Sequence, residues 1–440
     1  MILLYALLAI PILGLLILVH EWGHFIAARW IGVPVLEFGI GFPPRALTLG
    51  VRRGTRFSLN WVPIGGFVLL AGEEDAAVAG GLAQQKRWKR ALVLASGSLA
   101  NLLLAFVLFS GLALFPHQVS RGRIGLVGII PGTPAAQAGL RGRDILLEIN
   151  GQPMDDEHAL LELALNAGRP TVLTIERAGV SFTCTVTPTM EPIHHDVDRL
   201  GVEHYIYQRP VVTLSRVFEG RPAYQGGLRV GDVVVALNGH IPQDNLDFWE
   251  TLNQERKQGR PLEFVVRRDG QVLPPMTVYP PPPEAEDTTL GIGQDPPTEW
   301  VTRPLDEALR QGASDTAEAI WLVPRIIAAL VRGAIPITDL AGPLGIVQTT
   351  AEVASYRQAV GLVRLVGMLS ANLFVINLIP FPALDGGRLA LLLLEWLRGG
   401  RRLPRRVEAW INRAGMAALL AFLALVTCFD LVRLFEPVLH

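Results

Sequence analysis

Four long stretches of this 440-residue chain carry almost no charge, and they restrict its fold more than any other feature. The first runs from Met1 to about Ile31 and is broken only by His20, Glu21, His24 and Arg29. The second, Ala91 to Phe115, has no charged side chain. The third covers about Ala359 to Ile379, with Arg364 near its start, and the fourth about Ala414 to Val432, with Asp430 near its end. Coiled as helices, all are long enough to cross roughly 30 Å of hydrocarbon. Lipid offers backbone amides no partner, so such segments must satisfy themselves internally, as helices do. The first run lacks a basic leader and a convincing cleavage site, so it is expected to be a retained span. A fifth apolar stretch, Ala319 to Val331, is short and holds Pro324 and Arg325, which predicts an amphipathic helix at the membrane surface.

Charge sets the expected orientation. Arg52, Arg53, Arg56, Lys86, Arg87, Lys89 and Arg90 lie between spans one and two, and Arg388, Arg398, Arg401, Arg402, Arg405 and Arg406 between spans three and four. Lys- and Arg-rich loops stay in the cytoplasm, so both termini and the stretch from about Pro116 to Arg357 are expected outside, in a bacterium the periplasm. The formal net charge of −1 shows no basic excess, which argues against a nucleic-acid partner. Cys184 and Cys428, the only two cysteines, imply neither a disulfide framework nor a thiolate metal site, and Cys184 reads as a small buried residue on a strand.

The exterior region contains a duplication. "GTPAAQAGLRGRDILLEING" (Gly132 to Gly151) matches "GRPAYQGGLRVGDVVVALNG" (Gly220 to Gly239) at a constant offset of 88 residues. Each copy reads as a loop, a short helix ending at a glycine, a strand and an Asn-Gly turn. Arg143 stands where the second copy has Gly231, which predicts a local difference in the turn. The pattern resembles bacterial PDZ domains, and the resemblance implies binding of a chain end at a sheet edge, steric gating of what reaches the membrane, or both, with rigid bulk outside the membrane as the alternative. "YPPPPEAED" (Tyr279 to Asp287) is expected to be a stiff linker, and Pro304 to Ile335 amphipathic helices. The expected division is 1–115, N-terminal membrane half; 116–195 and 196–283, the two PDZ domains; 284–357, linker and helices; and 358–440, C-terminal membrane half.

His20, Glu21 and His24 form H-E-x-x-H inside the first apolar run. On a helix both imidazoles face one side, one turn apart, where they can hold one zinc ion, with the glutamate beside them to move a proton. Two imidazoles and a carboxylate without partners would be costly in hydrocarbon, and a metal removes that cost. A catalytic zinc needs a third protein ligand. Asp385, in "SANLFVINLIPFPALDGGRL" (Ser370 to Leu389), is the only carboxylate between Glu352 and Glu395. Pro380 and Pro382 are expected to end the third span, and Gly386-Gly387 to permit a tight turn that aims the carboxylate inward. A helix-end cap or a loop role is the alternative for Asp385.

HEWGH in the first span with LDGG after an Asn-rich third span resembles the site-2 protease family of intramembrane zinc metalloproteases. The four-span layout with a tandem PDZ insert is similar to that family's Gram-negative members. The resemblance implies a fold of four transmembrane helices, two periplasmic PDZ domains of α+β type and a membrane-associated β segment. It implies His20, His24 and Asp385 as zinc ligands, Glu21 as catalytic acid/base, and Asn372 and Asn377 as substrate-backbone contacts. The alternative for the asparagines is interhelical hydrogen bonding. "NWVPIGGFVLLAGEED" (Asn60 to Asp75) resembles the family's membrane-dipping β segment, and "GFPPRALTLG" (Gly41 to Gly50) its preceding hairpin. "SGSLAN" (Ser96 to Asn101) departs from the commoner AGPLAN, a difference expected to concern packing and no ligand. An edge strand at Trp61 to Leu70 could hold an unwound substrate, and Gly65-Gly66 would let its backbone approach. Implied partners are the lipid bilayer and single-span membrane proteins, chiefly anti-sigma factors already trimmed outside, with remnant signal peptides a second class. A non-catalytic receptor would leave Glu21 unexplained. A serine protease finds no G-x-S-x-G here, and His194, His195 and His204 read as surface residues or a chance cluster.

Overall fold

The structure, a computed structural model, describes residues 7–73, 78–120, 122–154, 158–193, 198–282, 289–295, 297–356 and 358–435. His194, His195 and residues 283–288 of the proline-rich linker lie outside the described residues. The chain forms two compact units: Met1–His117 with Val301–Ile327 and Pro336–His440, and Gln118–Trp300 with Ala328–Ile335.

The first unit holds α1 (Ala9–Ile31), the long strands β1 (Val35–Arg52) and β2 (Thr55–Leu70), and α2 (Arg87–Leu114). It continues with α3 (Leu305–Val331, as far as Ile327), α4 (Pro343–Tyr356), α5 (Gln358–Leu378), α6 (Asp385–Leu397) and α7 (Arg405–Phe435). Among the described residues four helices are long and apolar enough to cross a membrane: α1, α2, α5 and α7. Helix α7 starts nine residues ahead of the apolar run, at Arg405 rather than Ala414, because its first turns carry charge that hydropathy alone cannot count as span. Helix α3 likewise exceeds the short stretch expected: it continues through Pro324 over 27 residues. Its Ala319 joins Ala105, Phe109 and Ala371 in a core cluster, and a Cβ at Gly312 would lie 2.0 Å from Ser110 Oγ.

Small residues set the spacing of α1 and α2. A Cβ at Gly23 would fall 2.3 Å from the Ser96 carbonyl oxygen, so only glycine allows this approach. Helix α5 joins α2 through Ser370 Oγ, which donates to the Asn101 carbonyl at 2.8 Å. The strand pair folds back on itself. Phe38 pairs with Phe57 on one side and Val68 on the other, while Arg45 to Arg52 pairs with Thr55 to Asn60. The result is a four-segment sheet with Arg45–Arg52 at one edge and Gly66–Leu70, the outer segment nearer α1, at the other. Phe38 and Phe57 pack against Phe25 of α1, with ring centroids 5.4 and 6.0 Å away, and this aromatic contact seats the sheet on the first span.

After α5 the chain does not make the tight glycine turn expected. Ala383 takes the left-handed conformation, φ 79°, and Asp385 opens α6. Gly386 and Gly387 lie in the first turn of that helix. A Cβ at either would sit 2.3 Å from the Ile379 carbonyl oxygen or 2.2 Å from that of Phe381. The glycines thus serve close packing of a helix on the loop before it. Asp430 of α7, buried, accepts the amides of Gly342 at 3.1 Å and Gly345 at 2.9 Å and so caps the start of α4.

The second unit repeats one local design. Asp144 and Asp232, both fully buried, accept the amides of Arg141 and Arg229 at 2.8 and 2.9 Å. Arg177 and Arg268 then grip those carboxylates at 2.6 and 2.7 Å. Asn150-Gly151 and Asn238-Gly239 all have positive φ, as a tight hairpin turn requires. The turn difference expected at Arg143 is not found: Arg143 adopts φ 70° where Gly231 has φ 92°. Its guanidinium reaches Asp247, 3.4 Å away, on the helix Asn245–Lys257 of the second copy. Leu246 of that helix packs with Val127 and Ile145 of the first copy, so the copies share a small core. Cys184 lies on the strand Val180–Val186, half-buried rather than buried.

Candidate metal centre

Spacing of four residues brings His20 and His24 to one face of α1, and both are over nine-tenths buried. That face meets α2. The Val93 carbonyl can only accept, so His24 Nδ1 donates to it, at 2.7 Å. The proton on Nδ1 leaves a lone pair on Nε2, the usual arrangement for a metal-ligating imidazole. His24 Nε2 lies 3.1 Å from His20 Nε2 and 3.2 Å from Asp385 Oδ2, and His20 Nε2 lies 3.0 Å from the same oxygen. Asp385 is delivered by the first turn of α6, 361 positions after His24.

These three donors suit one cation. Neutral, His24 has no second proton to give, so its lone pair and that of the carboxylate would confront each other across 3.2 Å. An ion between them turns the repulsion into attraction. Ligands about 2.0–2.1 Å from a tetrahedral zinc stand roughly 3.3 Å apart, close to the separations found. Two nitrogens and one oxygen form a zinc-like set, and three protein ligands leave the fourth position open. Among the described residues, His20, His24 and Asp385 are the one His/Cys/Asp/Glu group so arranged.

Glu21 stands beside this trio and outside it. Its carboxylate is hydrogen-bonded by the backbone of Val68, in the outer sheet segment. Gly66 of that segment also runs close: a Cβ there would be 3.7 Å from Glu21 Cγ. Gly65, with φ 83°, faces Phe42 and Ile17 instead. Asn372 and Asn377 lie on α5 and are half-buried, and neither hydrogen-bonds to His20, His24 or Asp385. The Asn372 Oδ1 atom is buried without a hydrogen-bond partner.

Sequence reasoning missed the contribution of α2. "SGSLAN" supplies the wall behind the imidazoles. A Cβ at Gly97 would be 2.3 Å from His24 Nε2 and 2.7 Å from His20 Nε2. Asn101, buried, brings Nδ2 to 3.5 Å from His20 Nδ1. The signal available was a Gly/Ser/Asn cluster within an otherwise apolar span.

The model of peptidase family M50 matches this chain from residue 8 to residue 422. The chain belongs to peptidase family M50. This M50 chain is 30% identical to Protease RseP of Yersinia pestis, with 96% of the chain and 97% of that relative covered. It is 27% identical to Regulator of sigma E protease of Haemophilus influenzae, covering 96% and 97%. A Neisseria meningitidis relative whose name describes a zinc metalloprotease is 30% identical, covering 96% and 98%. Together with the four apolar helices, these matches make it a multi-pass zinc metalloprotease of the site-2 type.

Proposed function

We propose that His20, His24 and Asp385 hold the zinc of this M50 peptidase and that Glu21 is its catalytic acid/base. The observation that carries the proposal is the meeting of donors from opposite ends of the chain beside a carboxylate that is not one of them. Zinc in that position supplies Lewis-acid activation of the scissile carbonyl and of water. Glu21 takes the proton from the attacking water and hands it to the leaving amine. The Val68 amide fixes the Glu21 carboxylate for this shuttle. His24 keeps its tautomer through Val93.

The substrate is the unwound backbone of a single transmembrane segment. A helix hides its amides in its own hydrogen bonds, so it must open before attack, and a strand edge stabilises the open form. The outer segment Gly66–Leu70 offers such an edge next to Glu21, with Gly66 allowing close approach and Gly65 shaping the bend before it. Asn377 and Asn372 would contact the substrate backbone from α5; the unpartnered Oδ1 of Asn372 is an acceptor available for an amide. The likeness to the regulator of sigma E protease points to an anti-sigma factor as substrate, with remnant signal peptides as a second class. The cationic loops favour a bacterial inner-membrane placement with the site toward the cytoplasm and the duplicated unit periplasmic. There, two PDZ-like copies would gate bulky exterior domains.

Metal analysis of the purified chain beside His20→Ala and Asp385→Ala, with cleavage assays of Glu21→Gln on a model membrane substrate, tests this reading. Zinc should be lost in the first two. Glu21→Gln should keep its zinc and lose about 10²–10⁴-fold in turnover. Undiminished turnover in Glu21→Gln, or full zinc in Asp385→Ala, overturns the assignment.

A further inference from the structure

A second polar site lies outside the peptidase centre, at the opening of α2. Gln85, Lys86, Arg87, Trp88 and Arg90 line a cavity of about 640 Å³ together with Glu395, Trp396 and Arg402. Among the described residues, four cationic side chains therefore face one carboxylate. Glu395 is nearly buried, its side chain 10% exposed, and is held by Arg90 at 2.7 Å. Arg402 and Arg87 stand farther from it, at 3.5 and 4.0 Å, and their side chains are 39% and 44% exposed. One carboxylate cannot neutralise this set, so a positive surplus opens to the outside. Arg402 also donates to the Ala83 carbonyl, which holds its guanidinium in place at the mouth. Trp88 and Trp396 flank the cavity with 60% and 59% of their surface exposed.

We propose that this cavity binds the phosphate headgroup of an anionic phospholipid. Guanidinium forks match phosphate oxygens in two-point hydrogen bonds. Large amphipathic indoles favour the boundary between headgroups and hydrocarbon. The cavity lies where α2, one of the four apolar helices, begins its charged first turn, so charges and indoles sit at the level a headgroup occupies. Basic pockets at the ends of spans recruit anionic lipids by this combination. The inference uses the crossing of a bilayer by α2, and it does not depend on the peptidase chemistry.

The test uses the full chain in zwitterionic micelles, read by native mass spectrometry. The probes are phosphatidylglycerol, phosphatidylcholine with the same acyl chains, inorganic phosphate and a hexaglutamate peptide. The chain should retain phosphatidylglycerol in preference to the other three. Arg87→Gln with Arg402→Gln should weaken that retention by about tenfold or more. Lys86→Gln with Arg87→Gln, which spares the Arg402 bond to Ala83, should weaken it similarly, while Arg52→Gln on the β1 strand should not. Zinc content equal to wild type in every variant reports an intact fold and separates this result from the fate of the peptidase assignment. Equal retention of the two lipids, unchanged retention in both double variants, or preference for phosphate or hexaglutamate overturns the proposal.

Discussion

Gly97 has no functional group, yet its place is among the most constrained in the chain. Any β-carbon there would intrude on both imidazole Nε2 atoms, and the His24 ring cannot retreat while it is tied to Val93. Gly97→Ala should therefore leave the helix content unchanged and weaken zinc binding by about 10–100-fold, the range found when groups supporting metal ligands are disturbed. Equilibration against buffered zinc followed by elemental analysis checks this, and wild-type affinity in the variant would refute the steric account. The contrast with His20, Glu21 and His24 explains what could be read in advance. Histidines one helical turn apart inside an apolar run point to a metal from the sequence alone. A glycine has meaning only through what it faces, and that depends on how α1 and α2 pack.

At the scale of elements, the apolar runs predicted the four long helices because hydrocarbon permits little else. They did not predict α6. Two prolines and two glycines read as a turn, whereas the glycines prove to be contact points of a short helix whose first residue carries the carboxylate. The sheet was legible only in pieces, since its fold-back pairs β1 with two parts of β2. Glu37 pins that fold-back. Its buried carboxylate takes two hydrogen bonds from Arg45, at 3.0 and 2.6 Å, and one from Ser58 at 2.7 Å. Burial pushes the carboxyl up, but the Arg45 and Ser58 bonds and the Arg56 charge outweigh it and hold it below the usual glutamate range. A lowered folded-state value means stability that is present above the unfolded value and lost as pH falls through the folded one. Glu37→Gln should cost about 1–2 kcal/mol near neutrality, and the difference from wild type should shrink below about pH 4. Thermal melts of both proteins across that range decide it, and a difference constant with pH would show that the charge of Glu37 contributes nothing.

For the whole molecule, the duplication was legible because twenty positions repeat at one interval. The docking of one copy on the other was not, since it depends on Leu246 and Arg143, which bear no mark of their partners. The proposed metal trio ties α1 to α6, both in the first unit. Chelation should accordingly loosen that unit selectively, by about 4 kcal/mol if zinc is present at a thousand times its dissociation constant. Hydrogen exchange should quicken in α1 and α6 and stay unchanged in the strands Ile145–Ile149 and Val233–Leu237. Faster exchange throughout would show that the ion supports more than the membrane unit.

The separation of 361 positions from His24 to Asp385 also governs when the proposed donor set can exist. A ribosome delivers the two imidazoles among its first products and the carboxylate only after most of the polypeptide has been made and inserted. If the three donors hold the zinc as proposed, the emerging chain lacks the third one throughout synthesis, and a truncated translation product, however well its opening spans insert, would be unable to cut its neighbours.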